Sequence, residues 1–275
     1  MSHQSSFPQV FPEPGQAALP ARNLRTLRTV TALMLREMAT SYGRSPGGYL
    51  WAILDPVAAL ALMSVIFAAA FSAPALGISF PLFYATGYLP FMMFNDVANK
   101  MATSILFSRP LMAYPAVTFV DALAARFLLN VLTHLMVAYL VFSGILLVFE
   151  TRAALNLPAI LLSLGMTAML GIGIGTLNCY LMTAFPVWER AWQIATRPLF
   201  LISGVFFTYD GLPPMGQDIL WYNPLIHVIG MMRHGFYPTY HAPYVSVGFV
   251  AAVAMLTGLA GLLLLWRHHR TLLEN

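Results

Sequence analysis

His227, His234 and His241 recur every seven residues, and together with three aspartates near apolar stretches they are the first places to look for chemistry in this 275-residue chain. Zinc sites need three or four convergent ligands. The three histidines fall in a segment broken by Pro224 and Pro238, with no Cys or Glu joining them, so they read as interfacial histidines and no metal site is expected. A membrane-embedded hydrolase or transferase needs a nucleophile with its base, or paired carboxylates, at one depth. An ion-coupled carrier needs charged groups buried at depth. Asp55, Asp96 and Asp121 instead stand at the edges of apolar runs, so neither class finds its residues. His134, alone in such a run, reads as a buried hydrogen-bonding group rather than a proton relay. No G-x-x-x-x-G-K-[ST] occurs, so the chain has no phosphate loop of that kind and no cofactor of its own is expected. Gly171-Ile-Gly-Ile-Gly175 has the look of a glycine-rich loop, but no lysine follows and the run is apolar; small residues there let helices approach closely. The single cysteine, Cys179, lies in the same run, so no internal disulfide can form.

Composition says what must position these residues. The chain is 59% apolar and 9% charged, against roughly 25% charged in a soluble domain, so it lacks the polar surface to face water all round. Its net charge of +4 comes from basic residues scattered between apolar runs, which fits orientation in a bilayer and not nucleic-acid binding. Residues 1–20 hold Pro8, Pro12, Pro14 and Pro20 but neither a basic start nor an apolar core, and read as a flexible tail rather than a signal peptide.

A hydrocarbon core of about 30 Å takes about 20 apolar residues in a helix. Six stretches meet or approach this, at about 51–72, 80–99, 120–149, 157–185, 192–209 and 244–266. The second is interrupted by Pro81, Gly87 and Pro90, and the fifth is short. The fold expected is therefore an all-α membrane protein with six transmembrane helices in one domain over 21–275. Segment 210–241 is too broken by proline to span and too apolar for a solvated loop, which predicts a re-entrant pair of short helices between the fifth and sixth spans. With both ends cytoplasmic, twelve of the fourteen Lys and Arg residues fall on or near the inner side and only Arg152 and Arg233 fall outside, a strong positive-inside bias.

Residues 22–43 precede the first span as an interface helix. At about 100° per residue, Leu24, Leu27, Val30, Met34, Leu35, Met38 and Tyr42 share an arc of about 140°. Arg22, Arg25, Arg28 and Arg36 lie on the other side, the pattern of a helix in the headgroup plane. At the opposite side of the membrane, Phe206, Phe207, Tyr209, Trp221, Tyr222, Phe236, Tyr237, Tyr240 and Tyr244 gather around the outer connection. An interfacial belt would turn these rings to lipid, and a sugar path would turn them inward as stacking surfaces. Sequence leaves both open.

Tyr42-Gly-Arg-Ser-Pro-Gly-Gly-Tyr-Leu-Trp-Ala-Ile-Leu-Asp-Pro56 resembles the entry to the first span of type-2 ATP-binding-cassette export permeases. Ser203-Gly-Val-Phe-Phe-Thr-Tyr-Asp-Gly-Leu-Pro-Pro214, Trp221-Tyr-Asn-Pro-Leu-Ile-His227 and Arg233-His-Gly-Phe-Tyr-Pro238 resemble the capsular-polysaccharide branch in particular, close to O-antigen and teichoic-acid exporters. The resemblance implies a non-catalytic permease of the bacterial inner membrane that exports lipid-linked capsular polysaccharide. It further implies a homodimer bound to two copies of a separate cytoplasmic ATPase that holds ATP and Mg, with a periplasmic envelope-spanning protein as a further partner. Coupling to the ATPase would fall to Arg25, Arg28 and Arg36 and to the turn Phe107-Ser108-Arg109-Pro110-Leu111-Met112. The substrate path and exit would use Trp51, Tyr88, Phe206, Phe207, Tyr209, Asp210, Trp221, Tyr222, Phe236 and Tyr237. Export of O-antigen, teichoic acid or a hydrophobic drug by the same fold is the nearest alternative, and a stand-alone carrier the more distant one.

Overall fold

The structure, a computed structural model, describes residues 22–42, 48, 50–112 and 118–274. The tail expected over 1–20 lies outside the described residues, as do the side chains of Arg25, Pro110, Leu111 and Met112. The described residues form ten α-helices and one 3-10 turn, with no strand among them. In chain order they are α1 (Arg22–Tyr42), α2 (Leu50–Ala70), α3 (Phe80–Ala102), α4 (Ser104–Met112), α5 (Phe119–Val148), α6 (Leu157–Ala184) and α7 (Val187–Ile202). A 3-10 turn at Tyr209–Gly211 leads to α8 (Pro214–Leu220), α9 (Pro224–Phe236) and α10 (Val247–Glu274). Four helices, α2, α5, α6 and α10, are long and apolar enough to cross a membrane.

Local chemistry sets most boundaries. Thr118 and Asp121 form a reciprocal capping box that starts α5. Asn156 caps α6 and Asn223 caps α9, each followed by a proline whose missing N–H costs nothing in the first turn. The chain breaks at Thr103, so α4 leaves α3 after a single non-helical residue.

The second apolar stretch becomes the central helix. Fifteen of the 23 residues of α3 are buried, which is why a helix carrying Thr86 and Pro90 can stand where a lipid-facing one could not: protein covers both residues and the carbonyl that the proline frees. Around it pack α2, α5, α6 and α9. The glycine run does what its spacing predicted. A Cβ on Gly171 or Gly175 would strike Val97 or Met101 of α3, and one on Gly173 would strike the backbone of Ala254 in α10, so this stretch of α6 is flattened on two sides for close helix contact.

The fifth stretch differs most from expectation. Its helix begins five residues earlier and ends seven residues earlier than 192–209, because Ser203 and Gly204 (φ +84°) turn the chain away. None of its residues is buried. The segment 210–241 forms two short helices, α8 and α9, as its prolines demanded.

Candidate functional site

Two constellations stand out, one at each end of α3, and each is organised by a buried arginine. At the first, α1 lies on the start of α5: Val30 and Leu33 are buried against Ala125. One turn on, Glu37 forms an ion pair with Arg126 of α5 at 3.1 Å, both side chains about 95% buried (6% and 4% exposed). Arg126 Nη1 also donates to the carbonyl oxygen of Lys100 (2.7 Å) and to Thr103 Oγ1 (2.8 Å). The last carbonyls of a helix have no partner within it and favour a cation, so the guanidinium caps α3 at the break that leads into α4. The Arg126 guanidinium lies 4.2 Å from the ring centre of Phe107 in α4, and Arg36 of α1 lies 5.2 Å from the same ring, a cation–π pair at each distance.

This arrangement brings Arg36 and Phe107, two of the residues assigned to coupling, into contact. Ser108 is buried, and Arg28 and Arg109 are exposed. Along α1, Val30 and Met34 of the apolar arc meet protein, while Leu27 and Leu35 remain more than half exposed and suit a lipid phase.

At the second constellation Arg233 of α9 is buried (2% exposed). Its Nη1 donates to the carbonyl of Phe207 and its Nη2 to that of Val205 (3.1 Å), in the turn after α7. The guanidinium lies over the ring of Phe83 of α3 at 4.4 Å. No carboxylate pairs with it among the described residues. Asn223 adds a second hold on the turn, its Nδ2 donating to Ile202 O (3.2 Å) and Ser203 Oγ (3.3 Å). Beyond α9, burial raises the pKa of Tyr240 above the usual phenol range, so its hydroxyl stays protonated and shares a 3.0 Å hydrogen bond with Tyr244.

The outer aromatics divide into three groups. Tyr209, Phe236 and Tyr237 are buried: Tyr209 stacks on Tyr244 at 4.0 Å and Phe236 packs on Phe142 at 4.4 Å. Trp221 is half-buried, its indole N–H donating to Tyr244 O (3.2 Å) and its ring on Phe249. Tyr222 (71% exposed) is open, as are Asp210 in the same outer segment and, at the start of α2, Trp51. Phe206 joins a ladder that neither reading foresaw, stacked on Phe67 of α2 (5.5 Å) and edge-on to Phe200 of α7 (5.1 Å), which in turn meets Tyr88 of α3 (6.2 Å). Below Tyr88 the same half-buried face of α3 carries Asn95, Asp96 and Asn99. Asn99 accepts from the indole N–H of Trp192 in α7 (2.9 Å), and Asp96 meets His134 of α5 (3.2 Å). The four stand at i, i+7, i+8 and i+11, a helical spacing that sequence could have offered. An apolar cleft of about 570 Å³ lies between α2, the start of α3 and α5, with Ser64 the only polar side chain in its lining.

Of the histidines, His227 commits both ring nitrogens. The backbone N–H of Ser246 donates to Nδ1 (3.2 Å), which leaves Nε2 to donate to Trp221 O (2.8 Å). That is the neutral form fixed in one tautomer.

The described residues are all helical, with four helices of spanning length and apolarity around a buried central helix, the architecture of a polytopic membrane protein. Residues 28–237 match the family model of the ABC-2 type transporter, and the chain belongs to that family. It is 32% identical over 236 residues to the polysialic acid transport protein KpsM of Escherichia coli, covering 86% of this chain and 92% of that one. It is 29% identical over 242 residues to the capsule polysaccharide export inner-membrane protein BexB of Haemophilus influenzae (86% and 89% covered), and 25% identical over 237 residues to CtrC of Neisseria meningitidis serogroup A, of the same description (85% and 89%).

Proposed function

We propose that this chain is the membrane permease of an ATP-driven exporter of lipid-linked capsular polysaccharide in the bacterial inner membrane. The observation that carries the reading is its likeness along 86% of its length to KpsM and BexB, named for polysialic acid transport and capsule polysaccharide export. The chain itself makes and breaks no covalent bond. It works as a homodimer with two copies of a separate ATPase that binds ATP and Mg, and hands the polymer to a periplasmic envelope-spanning protein.

Residues 21–275 are one transmembrane domain whose six spans are α2, α3, α5, α6, α7 and α10, with both chain ends cytoplasmic. Helices α8 and α9 dip into the outer half of the membrane and return. Protein covers α9 on several sides, as backbone that enters and leaves one face requires. Arg28, Arg36, Phe107 and Arg109 form the surface that receives the ATPase, together with Arg25, Pro110, Leu111 and Met112.

The face of α3 from Asn99 to Tyr88, continued by Phe200, Phe206 and Phe67, fits a sugar chain in both its needs. Asparagine and aspartate side chains exchange hydrogen bonds with hydroxyls, and aromatic rings offer apolar faces to pyranose C–H surfaces. Many weak contacts of this kind hold a polymer without arresting it. The open residues Trp51, Asp210 and Tyr222 extend the path at its two ends, while Phe207, Tyr209, Trp221, Phe236 and Tyr237 support its outer wall.

Deletion of the gene in its host tests the reading. Capsular polymer should accumulate inside the cell and reappear at the surface when the chain is restored. Normal surface capsule in the deletion strain, or accumulation of another glycan in its place, would contradict the cargo assigned.

A further inference from the structure

Glu37 is the only acidic residue of α1, a helix otherwise charged by arginine. It is nearly fully buried, and its partner is not another group of the interface helix but Arg126 of α5. Burying two charges costs more than their attraction returns unless further hydrogen bonds complete the set. Here Arg126 completes it with Lys100 O and Thr103 Oγ1. Lys100 lies in the last turn of α3, and Thr103 is the single non-helical residue between α3 and α4. Phe107, one turn into α4, lies under Arg126 and beside Arg36 of α1. Asn130, one turn further along α5, donates to Arg126 O (2.7 Å) and secures the backbone on which the guanidinium stands.

Four helices therefore meet at one guanidinium: α1 through Glu37, α5 through its own backbone, α3 through the Lys100 carbonyl, and α4 through Phe107. The covalent route from α1 leads to α2, but only through residues 43–49. The route through Arg126 is a direct contact of side chains and leads to the central helix. From these contacts we propose that Glu37 and Arg126 are positioning residues that join the interface helix, the coupling turn and the inner end of α3 into one rigid block, so that ATPase movement reaches α3 as well as α2.

The proposal rests on the coupling role assigned above to α1 and α4, and it is tested in the full complex of permease and ATPase. Glu37→Gln keeps the shape of the side chain and removes its charge. A second variant, Glu37→Met with Arg126→Met, removes both charges together. That change leaves no buried charge unpaired and is the form in which a buried pair is replaced without loss of fold. Three quantities are read: ATPase co-purified per permease, ATP hydrolysed per ATPase, and capsular polymer reaching the cell surface.

Both variants are expected to keep co-purification and hydrolysis within about two-fold of wild type, while surface polymer falls at least ten-fold. The ratio of polymer exported to ATP consumed is the readout that a merely stabilising pair would not move once the double variant has restored the fold. Wild-type export in either variant overturns the proposal. So does loss of export in step with loss of bound ATPase, since the pair would then serve docking and not transmission. A wild-type complex that hydrolyses ATP without exporting polymer would refute the proposed function itself, and so is told apart from failure of the latch.

Discussion

Arg126 and Arg233 are both buried, both donate to backbone carbonyl oxygen and both lie over a phenylalanine ring, yet among the described residues only Arg126 has a carboxylate partner. Arg126 answers to Glu37 on a helix that lies against α5, so its cap on α3 is tied to α1, the helix proposed to receive the ATPase. Arg233 answers only to the backbone of the turn after α7 and to the ring of Phe83, all within the bundle. The first arrangement suits the transmission proposed for it, because Glu37 joins α1 to Arg126 beside the packing of Val30 and Leu33 on Ala125. The second holds, because a guanidinium fork satisfies the carbonyls of Val205 and Phe207 in the turn after α7. The same side chain thus serves as a joint at one end of α3 and a staple at the other.

The comparison can be broken most severely at the staple. Arg233→Ala should leave two buried acceptors unpaired at roughly 1–3 kcal/mol each, a loss of about 2–6 kcal/mol, read as a lower midpoint of thermal unfolding in nanodiscs. Arg233→Lys should recover only part of it, since an ammonium has no planar fork; full recovery would show that charge and not geometry holds the turn. Asn223→Ala removes the cap of α9 together with the second hold on Ile202, and should cost about 1–2 kcal/mol by the same measurement. At the joint, Thr103→Val takes away one of the two acceptors that α3 offers Arg126, with an expected cost of about 0.5–1.5 kcal/mol. A cost as large as that of Arg233→Ala would make both arginines staples. Tyr222→Ala, at an exposed position, should leave stability within about 0.5 kcal/mol while lowering surface capsule, and unchanged capsule would remove Tyr222 from the path.

Much of the frame was legible because burial in lipid leaves coarse marks. Most runs of about twenty apolar residues became long helices, the proline-broken segment before α10 became two short ones and the glycines of α6 became close-contact faces, while the fifth run became the shorter, unburied α7. The two arginines were not legible in the same way. Arg126 counted as one more inside-facing charge, and Arg233 as one of two exceptions to the positive-inside pattern. A buried arginine bound to carbonyls carries no topological signal, and this removes the exception at Arg233. Glu37 left a faint trace: it follows Val30 and Leu33 by seven and four residues, so the three form one stripe at the edge of the apolar arc. The aromatic ladder escaped because its rings come from α2, α3, α7 and the turn after it, and only the fold brings Phe67 to 5.5 Å and Phe200 to 5.1 Å from Phe206.

The central claim is that this chain moves a polymer when a separate engine turns. It is tested most directly by reconstituting the chain with its ATPase in proteoliposomes and following ATP hydrolysis and polymer crossing as lipid-linked capsular polysaccharide is added. The account predicts a stable complex in which added polymer raises hydrolysis and crosses only while ATP is consumed. Polymer crossing through the permease alone, or a complex whose hydrolysis ignores the polymer and moves none of it, would contradict the account.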